Sequence, residues 1–185
     1  MEHITNTIVW EGLDRKSMEC LHWQEQENGY IINSHLTGVM DNVPFAIHYR
    51  IETDKGWQVR HFRVNNLHNT TQYLELYSDT KGNWFDNDKP VEELAGCIDI
   101  DITLTPFTNT LPIRRIDYPH RERVFINVLY ITLPAFTMEK VVQQYTKIYE
   151  YYYSFALDDF KAELPVDENY FVIDYPGLFK RLYPV

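Results

Sequence analysis

The chain has 185 residues, of which 44% are hydrophobic and 15% aromatic, a composition that is typical of a folded globular protein and excludes a disordered one. Its formal net charge of -10 argues against a general binder of nucleic acid or of an anionic membrane surface. No linker, low-complexity tract or repeat divides the sequence, so we expect residues 1–185 to form one domain.

The first half of the chain has the pattern of a series of hairpins. Runs rich in β-branched and aromatic residues predict strands over 17–26, 29–40, 43–52, 57–65 and 71–79. Turn residues separate these runs, among them Asn28-Gly29 and Asp41-Asn42, which suit the positive φ angles of tight hairpins. Such regular spacing of turns favours a barrel, a roll or a sandwich.

The second half continues the pattern. Further strands are predicted over 97–104, 124–133, 141–157, 159–167 and 170–175. The segment 124–133 is nearly all apolar, which predicts burial on both faces. The segment 141–157 also fits a helical spacing, but its Tyr, Val, Ile and Thr content favours a strand. The last segment, 176–183, begins with Pro and predicts one short C-terminal helix.

Two cysteines, Cys20 and Cys97, have no metal-ligand spacing and are too few for a disulfide framework, so reduced thiols in a cytoplasmic protein are expected. The N-terminal segment lacks a basic start followed by an apolar run, and no stretch is apolar enough to span a bilayer. The sequence therefore predicts neither a signal peptide nor a membrane span.

Histidines recur every thirteen residues, but a metal needs three or four ligands around one point. The local sequence around His22, His35, His48 and His61 offers no such convergence, so we predict no metal. The motifs of serine hydrolases, P-loop enzymes, zinc proteases and dinucleotide-binding proteins are missing from the sequence, and we predict no cofactor.

Two acidic residues alternate with isoleucines in the strand "CIDIDITL". Asp99 and Asp101 point to one face, with their Cβ atoms about 7 Å apart. This spacing is near the separation of the two carboxylates in an inverting glycosidase, about 6.5–9.5 Å. It is also typical of a strand with a solvated or ion-paired face, and the sequence leaves both interpretations open.

The segment "TPFTNTLPIRR" follows this strand. Thr105 and Leu111 each precede a proline, which favours a stiff, extended backbone. Thr108 and Asn109 can both donate and accept hydrogen bonds, which suits the hydroxyl groups of a sugar. The alternative is a loop that satisfies its own backbone groups.

Two cations end this segment. In an extended chain Arg114 and Arg115 point to opposite faces, so one is expected to pair with Asp99 or Asp101. The other then offers its planar guanidinium to a carboxylate, a phosphate or a sugar, or ties strands together. Trp84, after Gly82-Asn83, is a candidate flat wall for a sugar ring or an acyl chain.

Three long segments, 96–116, 143–153 and 166–182, together with 10–12, 48–54 and 82–84, resemble the glycolipid-binding family of bacterial proteins, first described as a domain of unknown function. The resemblance implies a strongly curved antiparallel sheet of the spiral β-roll kind, barrel-like around an apolar interior. It also implies a soluble binder of lipid-like or glycolipid-like molecules. The motif positions that carry over are Asp99, Asp101, Thr108, Asn109, Arg114, Arg115, Gln144 and Tyr145.

The sequence departs from the family near its end. Glu168-Asn169-Tyr170 stand where the family tends to have a small, glycine-containing turn, so a pocket mouth rimmed by this turn is expected to differ from that of the family.

Three hypotheses follow. The first is a non-enzymatic binding protein for an amphipathic small molecule, with Thr108, Asn109, Arg114 and Arg115 at the polar head and Trp84 as the apolar wall. The second is a hydrolase that acts on a glycoside with Asp99 and Asp101 as its acid and base. The third is an interaction domain whose exposed strand edges form a homodimer.

Overall fold

The computed structural model describes residues 6–184, so the start of the N-terminal segment that was considered for a signal peptide lies outside the described residues. Within this range the chain forms two sheets and one short α-helix, α1 (Thr110–Arg115). The strands are β1 (Thr7–Gly12), β2 (Ser17–Gln26), β3 (Gly29–Met40), β4 (Val43–Thr53), β5 (Val59–Asn66), β6 (Tyr73–Ser78), β7 (Trp84–Asp86), β8 (Lys89–Pro90), β9 (Asp99–Ile102), β10 (Arg123–Thr132), β11 (Thr137–Tyr149), β12 (Tyr152–Leu157), β13 (Phe160–Pro165), β14 (Asp174–Tyr175) and β15 (Phe179–Tyr183). Short 3-10 turns lie at Glu92–Leu94 and Phe107–Asn109.

The larger sheet has ten strands in the order β14-β15-β1-β2-β3-β4-β5-β6-β7-β8, and all its pairs are antiparallel. The predicted all-β fold with a large antiparallel sheet is confirmed, and β2 and β3 have the predicted bounds. Asp41 and Asn42 have φ angles of 51° and 63°, as the tight turn between β3 and β4 requires.

A second sheet of five strands, in the order β13-β12-β11-β10-β9, corrects the expectation of a single antiparallel sheet. Here β9 runs parallel to β10, and α1 lies in the crossover between them. The ten-stranded sheet is not closed into a barrel: β14 and β8 are its two ends.

The prediction that 124–133 is buried on both faces is wrong for its first half. Val128, Leu129 and Ile131 are buried, because this end of β10 lies between β9 and β11. Phe125 is 63% exposed, because β10 extends there past the four-residue β9.

The predicted C-terminal helix is also wrong. Residues Phe179–Tyr183 form β15, which pairs with β1, while Pro176 and Gly177 lie in the preceding turn and Gly177 has a φ angle of 77°. An eight-residue segment has little helical stability of its own, so pairing with the free edge of β1 decides its structure. The helix lies instead in the segment expected to be extended. Pro112 is tolerated there because it occupies the first turn of α1, where backbone N–H groups have no helical partner.

Two apolar cores meet at the segment that joins β9 to α1. The first core lies between the larger sheet and strands β9 and β10 of the smaller one, and it includes Trp10, Phe62 and Phe107. The second lies on the inner face of the smaller sheet and includes Ile113 and Tyr153. Because Phe107 packs into one core and Ile113 into the other, the polar side chains between them are held at the junction.

Candidate functional site

Asp101, which is half-buried, is the centre of a hydrogen-bond network at this junction whose other members are buried. The Thr108 hydroxyl donates to its Oδ1 at 2.9 Å, and Nε2 of Gln143 on β11 donates to its Oδ2 at 2.6 Å. The Tyr145 hydroxyl donates to Oε1 of Gln143 at 3.3 Å and accepts from Nδ2 of Asn109 at 2.9 Å. We call these five residues the Asp101 network. Each member fixes the rotamer of the next, so the carboxylate and the amide are held in place before any ligand arrives.

Burial dominates the electrostatics of this network. Removal from water raises the pKa of Asp101, and hydrogen bonds from Gln143 and Thr108 offset only part of that rise. Burial also raises the pKa of Tyr145 well above its ordinary value, so this phenol stays neutral.

A cavity of about 260 Å³ opens beside the network, between the smaller sheet and the β14–β15 end of the larger one. We call it the apolar cavity. The hydrophobic part of its wall comes from Ile102, Phe155, Leu157, Phe160, Leu178 and Phe179. Polar groups converge on it from Arg15, Asp101, Thr103, Thr105, Asn109, Tyr130 and Tyr175. An apolar wall on which polar groups converge is the usual form of a small-molecule site.

The cavity offers acceptors and a donor side by side. Asp101 is a carboxylate acceptor, and the Asn109 amide carries both kinds of group. The Arg15 guanidinium donates to the Thr103 carbonyl at 2.5 Å and pairs with Asp14 at 3.1 Å, which holds it at the wall. Such a set can hydrogen-bond hydroxyl groups in several directions.

A second carboxyl, Glu19 of β2, lies behind Thr105. Its Oε1 accepts from the Ser34 hydroxyl at 2.7 Å and the Tyr49 hydroxyl at 2.6 Å, and the Tyr49 oxygen lies 3.4 Å from Oγ1 of Thr105. Its Oε2 has no hydrogen-bond partner among the described residues. Burial raises the pKa of Glu19 to about 7, against weaker lowering by the hydrogen bonds from Tyr49 and Ser34.

Asp99 shares a face of β9 with Asp101, as the alternation predicted, but its environment differs. It is 0% exposed and accepts two hydrogen bonds from Arg115, from Nε at 3.2 Å and from Nη2 at 2.6 Å. The predicted pairing of one arginine with one of these aspartates is therefore present. Since Asp99 does not line the apolar cavity, the cavity has one of these two carboxylates rather than both.

Arg114 points away from the apolar cavity. Its guanidinium lies 4.1 Å from the centre of the Trp57 ring and donates to the Asn169 carbonyl at 2.9 Å. Trp57 in turn stacks on Tyr30 at 4.5 Å. Arg114 thus joins α1 to the larger sheet and to the loop before β14.

The structure places two other predicted site residues elsewhere. Trp84 is 1% exposed in the first core, where its Nε1 donates to the Cys97 carbonyl at 2.8 Å. Gln144 lies on the opposite face of β11 from Gln143 and Tyr145, opposite Phe125 in the register. Neither residue lines the apolar cavity.

Sequence reasoning missed Gln143, although a local signal for it exists. Side chains alternate along a strand, so a buried Tyr145 requires Gln143, not Gln144, on the same face. The aromatic wall had no local signal, because Phe155 and Phe179 meet only when the two sheets pack together.

Comparison with known proteins agrees with this architecture. A family model described as "Putative glycolipid-binding" matches residues 7–181. The chain belongs to this glycolipid-binding family. A crystal structure of a DUF1089 family protein from Pseudomonas aeruginosa is similar, with 34% sequence identity, a TM-score of 0.79, and coverage of 89% of this chain and 92% of that one. No curated protein matches the chain.

Two further findings concern membrane spans and metal sites. No helix within residues 6–184 is long and apolar enough to cross a membrane. The same range contains no group of three or more His, Cys, Asp or Glu residues placed to hold a metal ion.

Proposed function

We propose that the protein is a non-enzymatic binding protein for an amphipathic small molecule with a glycosidic head. The observation that carries this proposal is the apolar cavity, where an aromatic and aliphatic wall meets Asp101 and Asn109 at one edge. In this proposal Asp101 and Asn109 contact the head, while Thr108, Gln143 and Tyr145 orient them. The family description supports a ligand of the same class.

The charge of the polar edge favours a hydroxyl-rich head over an anionic one. The Asp101 carboxylate accepts hydrogen bonds from hydroxyl groups but repels phosphate, and Arg15 is already paired with Asp14. Asp99, Arg114, Arg115 and Trp84 do not contact this head in the proposal, because none of them lines the apolar cavity. Gln144 has no role in it.

The size of the cavity limits what it can enclose. A volume of about 260 Å³ is slightly below the range of about 300–1,000 Å³ for drug-sized ligands. One sugar ring or a short stretch of acyl chain fills such a space, so the rest of an amphipathic ligand extends beyond the mouth. Phe160, which is partly exposed at the wall, then covers part of the emerging chain.

Octyl glucoside below its micelle concentration is the probe for this site. We expect saturable binding by calorimetry, and we expect Asp101→Asn to weaken it about tenfold or more, because a hydrogen bond to a charged acceptor contributes about 1.5–3 kcal/mol. Leu157→Trp, which fills the cavity, should abolish binding. The matched control is Asp88→Asn, the same change in an exposed turn, which should leave the affinity unchanged.

Absence of octyl glucoside binding to the wild-type protein, or equal binding by Leu157→Trp, would contradict the proposal. Circular dichroism of each variant checks that the fold survives. Light scattering on the same samples tests the homodimer hypothesis, which predicts twice the mass of one 22.2 kDa chain.

The proposal includes a cytoplasmic location, which the free thiols Cys20 and Cys97 favour, and no nucleic-acid partner, as the net charge of -10 indicates.

A further inference from the structure

A second cavity, of about 300 Å³, lies at the C-terminal end of α1, where the chain turns toward β10 and faces β11 and β12. We call it the basic cavity. Arg114, Arg115 and Lys147 line it, together with the aromatic residues Tyr118, Tyr153 and Tyr170. It shares no lining residue with the apolar cavity.

The charge of the basic cavity is opposite to that of the chain. Its lining has three cations and one acidic residue, Asp117, whereas the whole chain has a net charge of -10. Asp99, buried behind Arg115, neutralises one of the three cations. A local excess of positive charge remains at this cavity.

The two arginines are held rigidly and still have donors to offer. Arg115 uses Nε and Nη2 on Asp99, and Arg114 uses Nη1 on the Asn169 carbonyl. A guanidinium group has five N–H donors, so each has more N–H groups than these bonds use. Arg114 packs on Trp57 at 4.1 Å, and the Arg115 side chain is 16% exposed. Because both side chains are already ordered, they lose little side-chain entropy when an anion binds.

Lys147 and the phenols complete the lining. Among residues 6–184, no side chain or carbonyl pairs with the Lys147 ammonium group. Burial raises the pKa of Tyr153 to about 12, and burial likewise raises the pKa of Tyr118, so both phenols are neutral at physiological pH. The Tyr118 hydroxyl donates to the Pro112 carbonyl at 3.2 Å. Neither adds negative charge to the cavity.

We infer that the basic cavity binds a small oxyanion, a phosphate or carboxylate group, between Lys147 and the guanidinium groups of Arg114 and Arg115. Guanidinium forks and an unpaired ammonium are the groups that recognise such anions in proteins. The inference does not rest on the proposed function, because the head of that ligand lies at Asp101 in the other cavity.

The test is titration of the full-length protein with inorganic phosphate, sulfate and acetate, followed by calorimetry and by amide shifts in NMR spectra. Lys147→Gln is expected to weaken oxyanion binding about tenfold, the loss of one charge-assisted hydrogen bond. Lys161→Gln, the same change at an exposed lysine of β13, should leave the affinity unchanged. A titration with octyl phosphate below its micelle concentration distinguishes a free oxyanion from the phosphate of a lipid head group.

Equal binding of inorganic and octyl phosphate indicates a free oxyanion as the ligand, and binding of octyl phosphate alone indicates a lipid head group; both support the inference if Lys147→Gln weakens them. No saturable binding of any of these anions would overturn it. So would binding that Lys147→Gln leaves unchanged. Octyl glucoside binding is measured on the same samples, so failure here is distinguishable from failure of the proposal for the apolar cavity.

Discussion

Glu19→Gln is expected to remove a large part of the pH dependence of stability between about pH 4.5 and about pH 7. The folded-state pKa of Glu19 is raised from 4.5 to about 7, because its carboxyl is buried. An unfolded chain therefore releases this proton more readily than the folded one. Stability from the protonated carboxyl is fully present below pH 4.5 and is lost as the pH rises through 7. One pKa unit corresponds to about 1.4 kcal/mol, so the loss is about 3 kcal/mol at most.

Urea unfolding of both proteins at about pH 5 and about pH 8 measures this difference. The wild type should lose up to about 3 kcal/mol of unfolding free energy relative to Glu19→Gln over that interval. The same substitution at the exposed Glu27 serves as the control and should leave the pH dependence of the wild type unchanged. Parallel pH profiles of the unfolding free energy for the wild type and Glu19→Gln would contradict the prediction, because they would show that folding does not raise the pKa of Glu19.

Arg115→Met is expected to destabilise the protein by about 3–5 kcal/mol, because it leaves the Asp99 carboxylate buried and unpaired. The double variant Asp99→Leu with Arg115→Met should recover much of this loss, since it removes both charges together. Arg50→Met is the matched control. It breaks an ion pair with Glu52 whose partners are 37% and 38% exposed, and should cost about 0–1 kcal/mol.

This prediction also separates a structural role of Asp99 from a catalytic one. The hydrolase hypothesis requires Asp99→Asn to abolish turnover of a glycoside while the fold survives. The salt bridge with Arg115 predicts instead that Asp99→Asn lowers the unfolding free energy. A fully stable Asp99→Asn protein, or an Arg115→Met variant as stable as Arg50→Met, would contradict the structural role.

The candidate site could be predicted from the sequence where local geometry decides it. Alternation along β9 places Asp99 and Asp101 on one face, and Asn109 and Asp101 both line the apolar cavity. Thr108 and Tyr145 belong to the Asp101 network rather than to the wall. Local geometry does not say which polar groups share a cavity.

Arg114 and Arg115 show the limit of local reasoning at the site. An extended chain would point them to opposite faces, whereas on α1 successive residues differ by about 100°. As a result both line the basic cavity and neither reaches the apolar one. Phe107, just before α1, packs into one core and Ile113 into the other, an arrangement that depends on the packing of the two sheets.

The sequence by itself determined the hairpins of the larger sheet. The bounds of β2 and β3 and the Asp41-Asn42 turn follow from side-chain alternation and turn preferences, which act between neighbouring residues. The tertiary structure alone decided that β15 is a strand and that Phe155 and Phe179 share a cavity. These features depend on contacts between residues far apart in the chain, and such contacts leave no pattern within either segment.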